Sequence, residues 1–176
     1  MINICNLYIP LADGQSIPAP VLEALSHQTV QVNIVPCCMP GIINSNTLHH
    51  PDRRLKLQCE TQSRNKALEM IKTNEKDYGL MMDRDCILMY DKCIEVAIGT
   101  LMGHDRLGCA ALPWKSDEKN HIKRTFMALR VSALKNFFFR FDERLHGCLC
   151  MVEDFKTLGW ECTYVSSDRP LIKELK

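Results

Sequence analysis

Two aspartates one residue apart, Asp83 and Asp85, directly follow a short apolar run that begins at Tyr78. Two carboxylates at the end of a strand can jointly hold a hard divalent cation, while diphosphate oxygens and water complete its coordination shell. Mg²⁺ or Mn²⁺ suits such a set of oxygen ligands, and the metal would neutralise the charge that grows on a departing phosphate. An exposed acidic turn would have the same sequence, so the meaning of the motif depends on the elements that position it.

Strand-like and helix-like segments alternate along the chain, and this order predicts an α/β fold with a mostly parallel sheet. The predicted strands are Ile2–Ile9, Thr29–Val35, Tyr78–Asp83, Leu107–Trp114 and the segments TFMALR and WECTYVS. A helix through TQSRNKALEMIKT is expected to place Ala67, Leu68 and Ile71 in the core. Ligands of such sheets bind beyond the carboxyl ends of the strands, which is where Asp83 and Asp85 would lie.

Length and composition are those of one globular domain. The chain has 176 residues, 46% hydrophobic and 24% charged, so we expect a single domain over 1–176 with a polar C-terminal tail over 166–176. The net charge of +1 gives no electrostatic sign of a nucleic-acid partner, and no apolar run reaches the roughly 18 residues of a membrane span. Ten cysteines lie mostly in apolar runs and no secretion signal is apparent, which predicts reduced thiols in a cytoplasmic protein.

Five segments follow one another along the chain in an order and spacing typical of a known family: VLEALSHQTVQVNIVPCCMPG, TQSRNKALEMI, YGLMMDRDCIL, TFMALRVSALKNFFFRFDE and CLCMVEDFKTLGWECTYV. Through them, from about Val21 to Val165, the chain resembles the glycosyltransferase family 2 type of GT-A fold. The resemblance implies a minimal three-layer α/β/α sandwich. It also implies a hexosyltransferase type of activity, in which a sugar passes from a nucleotide-diphospho-sugar to an acceptor hydroxyl with Mn²⁺ or Mg²⁺ and inversion. The acceptor, whether glycan, lipid or protein, is not indicated.

The resemblance also implies a donor site built around the two aspartates. Asp83 would lie near the ribose or the metal, and Asp85 would be the metal ligand that bridges to the diphosphate. Arg84 is included among the donor-binding residues. Arg64 matches the arginine of the family's "aRN" helix and would contact the nucleotide or diphosphate; the alternative is a surface arginine paired with a carboxylate.

Two further positions are implied at the same edge of the sheet. Pro10 matches the proline after the first strand, where the backbone lies near the base. Trp114 follows a predicted strand and could stack on the acceptor sugar, with core packing as the alternative. Family members usually carry an acidic residue after the second strand to hold the base, but Cys37 and Cys38 stand there. Base recognition is therefore expected either to be altered or to rest on backbone groups.

The catalytic base is the least certain residue of the predicted site. Inverting members carry an acid at the start of the last helix, but that position falls on Gly147-Cys148 in this chain. Glu153 and Asp154 lie further along and would serve if the helix began later than the pattern suggests; otherwise they belong to a solvated helix face. Asp142 and Glu143, just upstream, are the next candidates.

Two other functions are compatible with this sequence. A non-catalytic module that binds a nucleotide sugar or glycan on the same fold would explain the missing acid at Gly147-Cys148. A nucleotidyltransferase that makes a sugar nucleotide has less support, because no glycine-rich phosphate loop follows the first strand.

Overall fold

The computed structural model describes residues 4–11, 15–38, 53–114, 125–140 and 147–175. For 38, 53–60 and 147–149 it describes the backbone alone. The strands are β1 Ile4–Leu11, β2 Gln31–Cys38, β3 Tyr78–Met82, β4 Cys86–Leu88, β5 Leu107–Ala111, β6 Phe126–Arg130, β7 Glu161–Tyr164 and β8 Ile172–Glu174. The helices are α1 Ala19–Ser26, α2 Arg53–Asn74, α3 Cys93–Met102 and α4 Gly147–Thr157, with a 3-10 turn at Val131–Leu134.

Six strands form the central sheet in the order β2-β1-β3-β6-β5-β7. Strand β6 runs antiparallel to both of its neighbours, whereas the other three pairings are parallel, so five strands point the same way. Parallel neighbours need crossover connections, and the helices between the strands supply them. The predicted mostly parallel α/β sheet is therefore confirmed.

Helices cover both faces of this sheet. Side chains alternate along each strand, so that Leu7 and Ile9 face a core built with α1 and α3, while Tyr8 faces a second core built with α2 and α4. On α2, the residues Ala67, Leu68 and Ile71 are fully buried, as their spacing predicts. The predicted three-layer α/β/α sandwich is thus confirmed, with an apolar core on each side of the sheet.

The first strand extends beyond its predicted end. Strand β1 continues through Pro10 to Leu11, and its parallel pairing with β2 runs along the whole strand. Pairing with β3 is confined to Leu7 and Tyr8. Because that pairing ends before Pro10, the missing N–H of the proline removes no hydrogen bond on the β3 side.

The C-terminal segment, expected as a polar tail over 166–176, is partly built into the fold. Strand β8 pairs antiparallel with β4 in a separate two-stranded sheet. Leu171 and Ile172 are buried in the core on the α1 and α3 side. Apolar side chains inside an otherwise polar stretch are enough to anchor it, because their burial removes apolar surface from water.

Candidate functional site

Asp83 and Asp85 occupy a tight turn between the two sheets. Strand β3 is the third of six in the central sheet, and the turn follows its carboxyl end. The Asp83 N–H donates to the Thr125 carbonyl at 2.8 Å, and the Asp83 carbonyl accepts from the Cys86 N–H at 3.1 Å. Both aspartate side chains are partly exposed, so the turn presents carboxylates where a mostly parallel sheet binds its ligands.

Arg64 of α2 is brought directly onto this motif. Its Nη2 donates to both carboxylate oxygens of Asp83, at 2.7 and 2.8 Å. The side chains of Arg64 and Asp83 are 10% and 25% exposed, so the ion pair is shielded from solvent on the arginine side. Arg64 is therefore paired with a carboxylate, as one reading expected, but the pair is mostly buried and that carboxylate belongs to the motif itself.

The other two residues of the turn are held by segments distant in sequence. Arg84 Nη1 donates to the Ser16 carbonyl at 3.1 Å, which ties the turn to the segment before α1. The Asp85 carbonyl accepts from the Leu175 N–H at 2.8 Å, so the C-terminal strand supports the backbone of the second aspartate. No sequence pattern predicts this last contact, because β8 lies at the far end of the chain.

The electrostatic environment of the turn is negative. Burial raises the pKa of the Cys86 thiol well above its usual range, and the charges of Asp83, Asp85 and Glu174 raise it further. Carboxylates that disfavour a nearby thiolate favour a cation in the same place. Glu174, on β8 opposite Cys86, contributes to this potential although the sequence analysis did not single it out.

These residues fit a magnesium or manganese ion better than a zinc ion. Across the described ranges, no cluster of three or more His, Cys, Asp or Glu side chains is arranged to hold a metal. A structural zinc site needs four such ligands. Magnesium, in contrast, is commonly bound by one or two carboxylates with phosphates and water in the remaining positions, and the Asp83–Asp85 turn can supply that number.

Pro10 and Trp114 lie near the carboxyl ends of their strands. Pro10 is level with Cys37 across β1 and β2, and Cys37 is buried with its thiol donating to the Val35 carbonyl. Trp114 follows β5 and packs, partly buried, against the core on the α1 and α3 side, as the packing alternative predicts; its contact with an acceptor stays a prediction.

The candidate catalytic acids are divided between described and undescribed residues. Helix α4 begins at Gly147, so Glu153 and Asp154 lie in its middle and do not open it. Glu153 is exposed, whereas Asp154 accepts from Arg140 Nε at 2.8 Å and lies 2.7 Å from its Nη2. This contact raises the pKa of Arg140. The other two candidates, Asp142 and Glu143, lie outside the described residues.

Asn65, adjacent to Arg64, is a structural residue that the sequence analysis passed over. Its side-chain oxygen accepts from the Phe139 N–H at 2.7 Å, and its amide donates to the Phe139 carbonyl at 2.9 Å. Lys72 donates to the Phe137 carbonyl at 2.9 Å. Helix α2 thus holds both Asp83 and the segment that precedes the undescribed acids. The asparagine of the "aRN" match was the available signal.

Comparison with known proteins supports the fold and leaves the family open. No protein-family profile and no curated protein matches the chain. A mannosyltransferase from Pyrobaculum calidifontis, solved with GDP-Man and Mn²⁺, has a TM-score of 0.65 and 8% identity, over 94% of this chain and 55% of that one. This chain therefore spans only about half the length of the mannosyltransferase.

Two further structures have the same architecture. A Drosophila β-1,4-galactosyltransferase 7 variant, solved with manganese, UDP-Gal and xylobiose, has a TM-score of 0.58 and 14% identity, over 99% of this chain and 71% of that one. A cytidylyltransferase from Leptospira borgpetersenii has a TM-score of 0.58 and 12% identity, over 97% of this chain and 78% of that one. The structural neighbours are thus glycosyltransferases and a cytidylyltransferase, and at these identities they establish the fold alone.

No helix in the described part of the chain is both long enough and apolar enough to cross a bilayer.

Proposed function

We propose that this protein is a metal-dependent glycosyltransferase that moves a sugar from a nucleotide-diphospho-sugar to an acceptor hydroxyl, with inversion. The observation that carries the proposal is the Asp83–Asp85 turn at the carboxyl end of a central strand, with Arg64 bound to its first carboxylate. The solved complexes of similar fold that contain GDP-Man or UDP-Gal with manganese are consistent with it. The proposed location is the cytoplasm.

The two aspartates have different proposed roles. Asp83 accepts two charge-assisted hydrogen bonds from Arg64, so its orientation is set before a donor arrives. Asp85 has no described side-chain partner and is the principal protein ligand for Mg²⁺ or Mn²⁺. When bound, the cation would supply neutralising charge to the leaving diphosphate. Arg64 and Arg84 add positive charge beside the phosphates, and Pro10 lies on the side of the base.

The acceptor hydroxyl must lose its proton to a base within about 2.6–3.2 Å or through one water. Glu153 and Asp154 are proposed first, from the middle of α4 rather than from its start, followed by Asp142 and Glu143. Asp154 would have to give up part of its contact with Arg140 to act, whereas the exposed carboxylate of Glu153 has no such competitor in the described part of the chain. This difference favours Glu153 of the two.

Calorimetry with UDP-, GDP-, CMP- and dTDP-sugars, with and without Mn²⁺, tests the donor site. Asp85→Asn should abolish the metal-dependent part of the affinity, while Glu95→Gln, an exposed acid on α3, is the matched control and should bind as the parent does. Equal affinity of parent and Asp85→Asn, or affinity independent of metal, would reject the assignment.

Separate alanine variants of the four acids test the base. Loss of about a hundredfold or more in transfer at one of them, with donor binding intact, would identify it. Transfer to water and to glycan, lipid and peptide acceptors should be measured for each variant. An active parent with four active variants would show that the base lies elsewhere.

A non-catalytic nucleotide-sugar or glycan binding module is the second candidate. It is favoured by the start of α4, where Gly147 stands in place of an acid. A parent protein that binds donor with metal but transfers sugar to no acceptor would support this candidate. Formation of a sugar nucleotide from a nucleoside triphosphate and a sugar phosphate would instead indicate a nucleotidyltransferase.

A further inference from the structure

Two cysteines face each other across the edge of the central sheet. Cys109 of β5 and Cys162 of β7 are register partners in a parallel pair. Both side chains belong to the core on the α2 and α4 side, Cys109 within it and Cys162 packed against it. The two side chains therefore lie on the same face of the sheet at paired positions, and both thiols are free.

The backbone geometry is compatible with a covalent bond between them. Neighbouring strands lie about 4.7–4.9 Å apart, and disulfides join residues whose Cα atoms are about 4.4–6.8 Å apart. The two thiols differ in access, since Cys109 is fully buried whereas Cys162 is partly exposed on an edge strand. Strand β7, Cys162 included, also lines a surface groove of about 670 Å³, so this edge of the sheet is open to solvent.

We propose that Cys109 and Cys162 form a redox-sensitive pair, which a small-molecule disulfide such as oxidised glutathione converts into a cross-strand disulfide. The thiolate of Cys162 attacks one sulfur of the oxidant, which forms a mixed disulfide and releases one glutathione as its thiolate. Cys109 then loses its proton to water and attacks the Cys162 sulfur, which releases the second glutathione. The protein loses two protons and two electrons in all, and the oxidant gains both electrons and, from water, two protons as it becomes two thiols.

The order of these steps follows from the environment of each thiol. The hydrogen bond to Cys162 and then burial raise the pKa of Cys109 well above its usual range, so Cys109 stays protonated and acts second. Cys5 is also partly exposed, but burial and then the charge of Glu75 raise its pKa to about 11. Its thiolate, the reactive form, is therefore scarce at neutral pH, which makes Cys5 a suitable control.

The bond would tie the edge of the sheet to its interior. Strand β7 pairs only with β5 in the central sheet, and α4 packs against β7. A disulfide that closes the loop between β5 and β7 restricts the unfolded chain and holds α4 against the sheet. Oxidation should therefore raise the thermal unfolding midpoint by several degrees.

The test is incubation of the native protein with oxidised glutathione, alkylation of remaining thiols and tryptic peptide mapping. Peptides 107–115 and 157–173 each contain one cysteine, since trypsin does not cleave the bond between Arg169 and Pro170. We expect them to appear linked, two hydrogen masses below their sum, with a raised unfolding midpoint that dithiothreitol reverses. In Cys109→Ala the reaction should stop at the mixed disulfide on Cys162. Cys162→Ser should form neither that mixed disulfide nor a link to Cys109, and Cys5→Ser should behave as the parent protein does.

Results on the parent protein alone can overturn the proposal. Glutathione that remains on Cys162 without a link to Cys109 would do so, as would a link that forms only after denaturation. A native link between any other two cysteines in preference to this one would also refute it.

Discussion

Replacing Asp83 and Asp85 by asparagine, one at a time, distinguishes a structural role from a ligand-binding role for each of the two carboxylates. The two side chains are one residue apart in the same turn and are both partly exposed. Only Asp83 is bound to Arg64, whose side chain is 10% exposed. Asp83→Asn leaves that guanidinium mostly buried without its carboxylate, whereas Asp85→Asn removes a charge from an already negative turn.

The expected magnitude follows from the burial of the pair. Hydrogen bonds to charged groups contribute about 1.5–3 kcal/mol, and breaking a fully buried ion pair costs about 3–5 kcal/mol. Asp83 is 25% exposed, and asparagine keeps one acceptor oxygen, so we expect a loss of about 2–3 kcal/mol. At about 2–4 °C per kcal/mol for a protein of this size, the unfolding midpoint should fall by about 4–12 °C. Asp85→Asn should stay within about 0.5 kcal/mol of the parent.

Urea and thermal unfolding give the stability of each variant, and calorimetry with Mn²⁺ and a nucleotide sugar gives its donor affinity. We expect both variants to lose metal-dependent affinity and only Asp83→Asn to lose stability. A cycle with Arg64→Met should show that the two losses of stability are not additive. Equal stability of the two asparagine variants would refute the structural role of the Arg64–Asp83 pair.

Further predictions concern packing and pH. In Gly108→Ala the new Cβ would lie 2.7 Å from two ring carbons of Phe155, so we expect the free energy of unfolding in urea to fall by about 1–3 kcal/mol. Gly99→Ala on α3, where a Cβ would have nothing within 4 Å, should raise it by up to about 1 kcal/mol. Equal effects of the two substitutions would contradict this account of packing. Burial, and then the hydrogen bond from the Tyr8 hydroxyl to Glu75, raise the pKa of Tyr8 to about 12. Because the folded pKa exceeds the unfolded value of about 10, the stability Tyr8 contributes is present below pH 10 and lost as the pH rises towards 12. Ultraviolet titration should show a phenol that ionises at about pH 12 and that Tyr8→Phe removes, and a Tyr8 that ionises near pH 10 would contradict this environment.

Local patterns along the chain were sufficient for the secondary structure and its layers. Successive side chains of β1 and β3 enter opposite cores because a strand has a two-residue period. The inward face of α2 follows from the spacing of Ala67, Leu68 and Ile71. The position of Asp83 and Asp85 after an apolar strand likewise predicted their place at the carboxyl edge of the sheet. Such features depend on neighbours within a few residues, which is the range over which backbone periodicity acts.

Contacts between distant segments were decided only by the tertiary structure. The sequence allowed Arg64 a nucleotide or a carboxylate as partner, and the packing of α2 against the sheet brought it to Asp83. The return of β8 beside Asp85 was not visible in the composition of the polar tail over 166–176, where Leu171 and Ile172 are buried in the core. The pairing of Cys109 with Cys162 across β5 and β7 arises in the same way. Each of these contacts depends on which elements become neighbours and in what register. A pattern of residue types does not determine that arrangement, which is set only when the whole core packs.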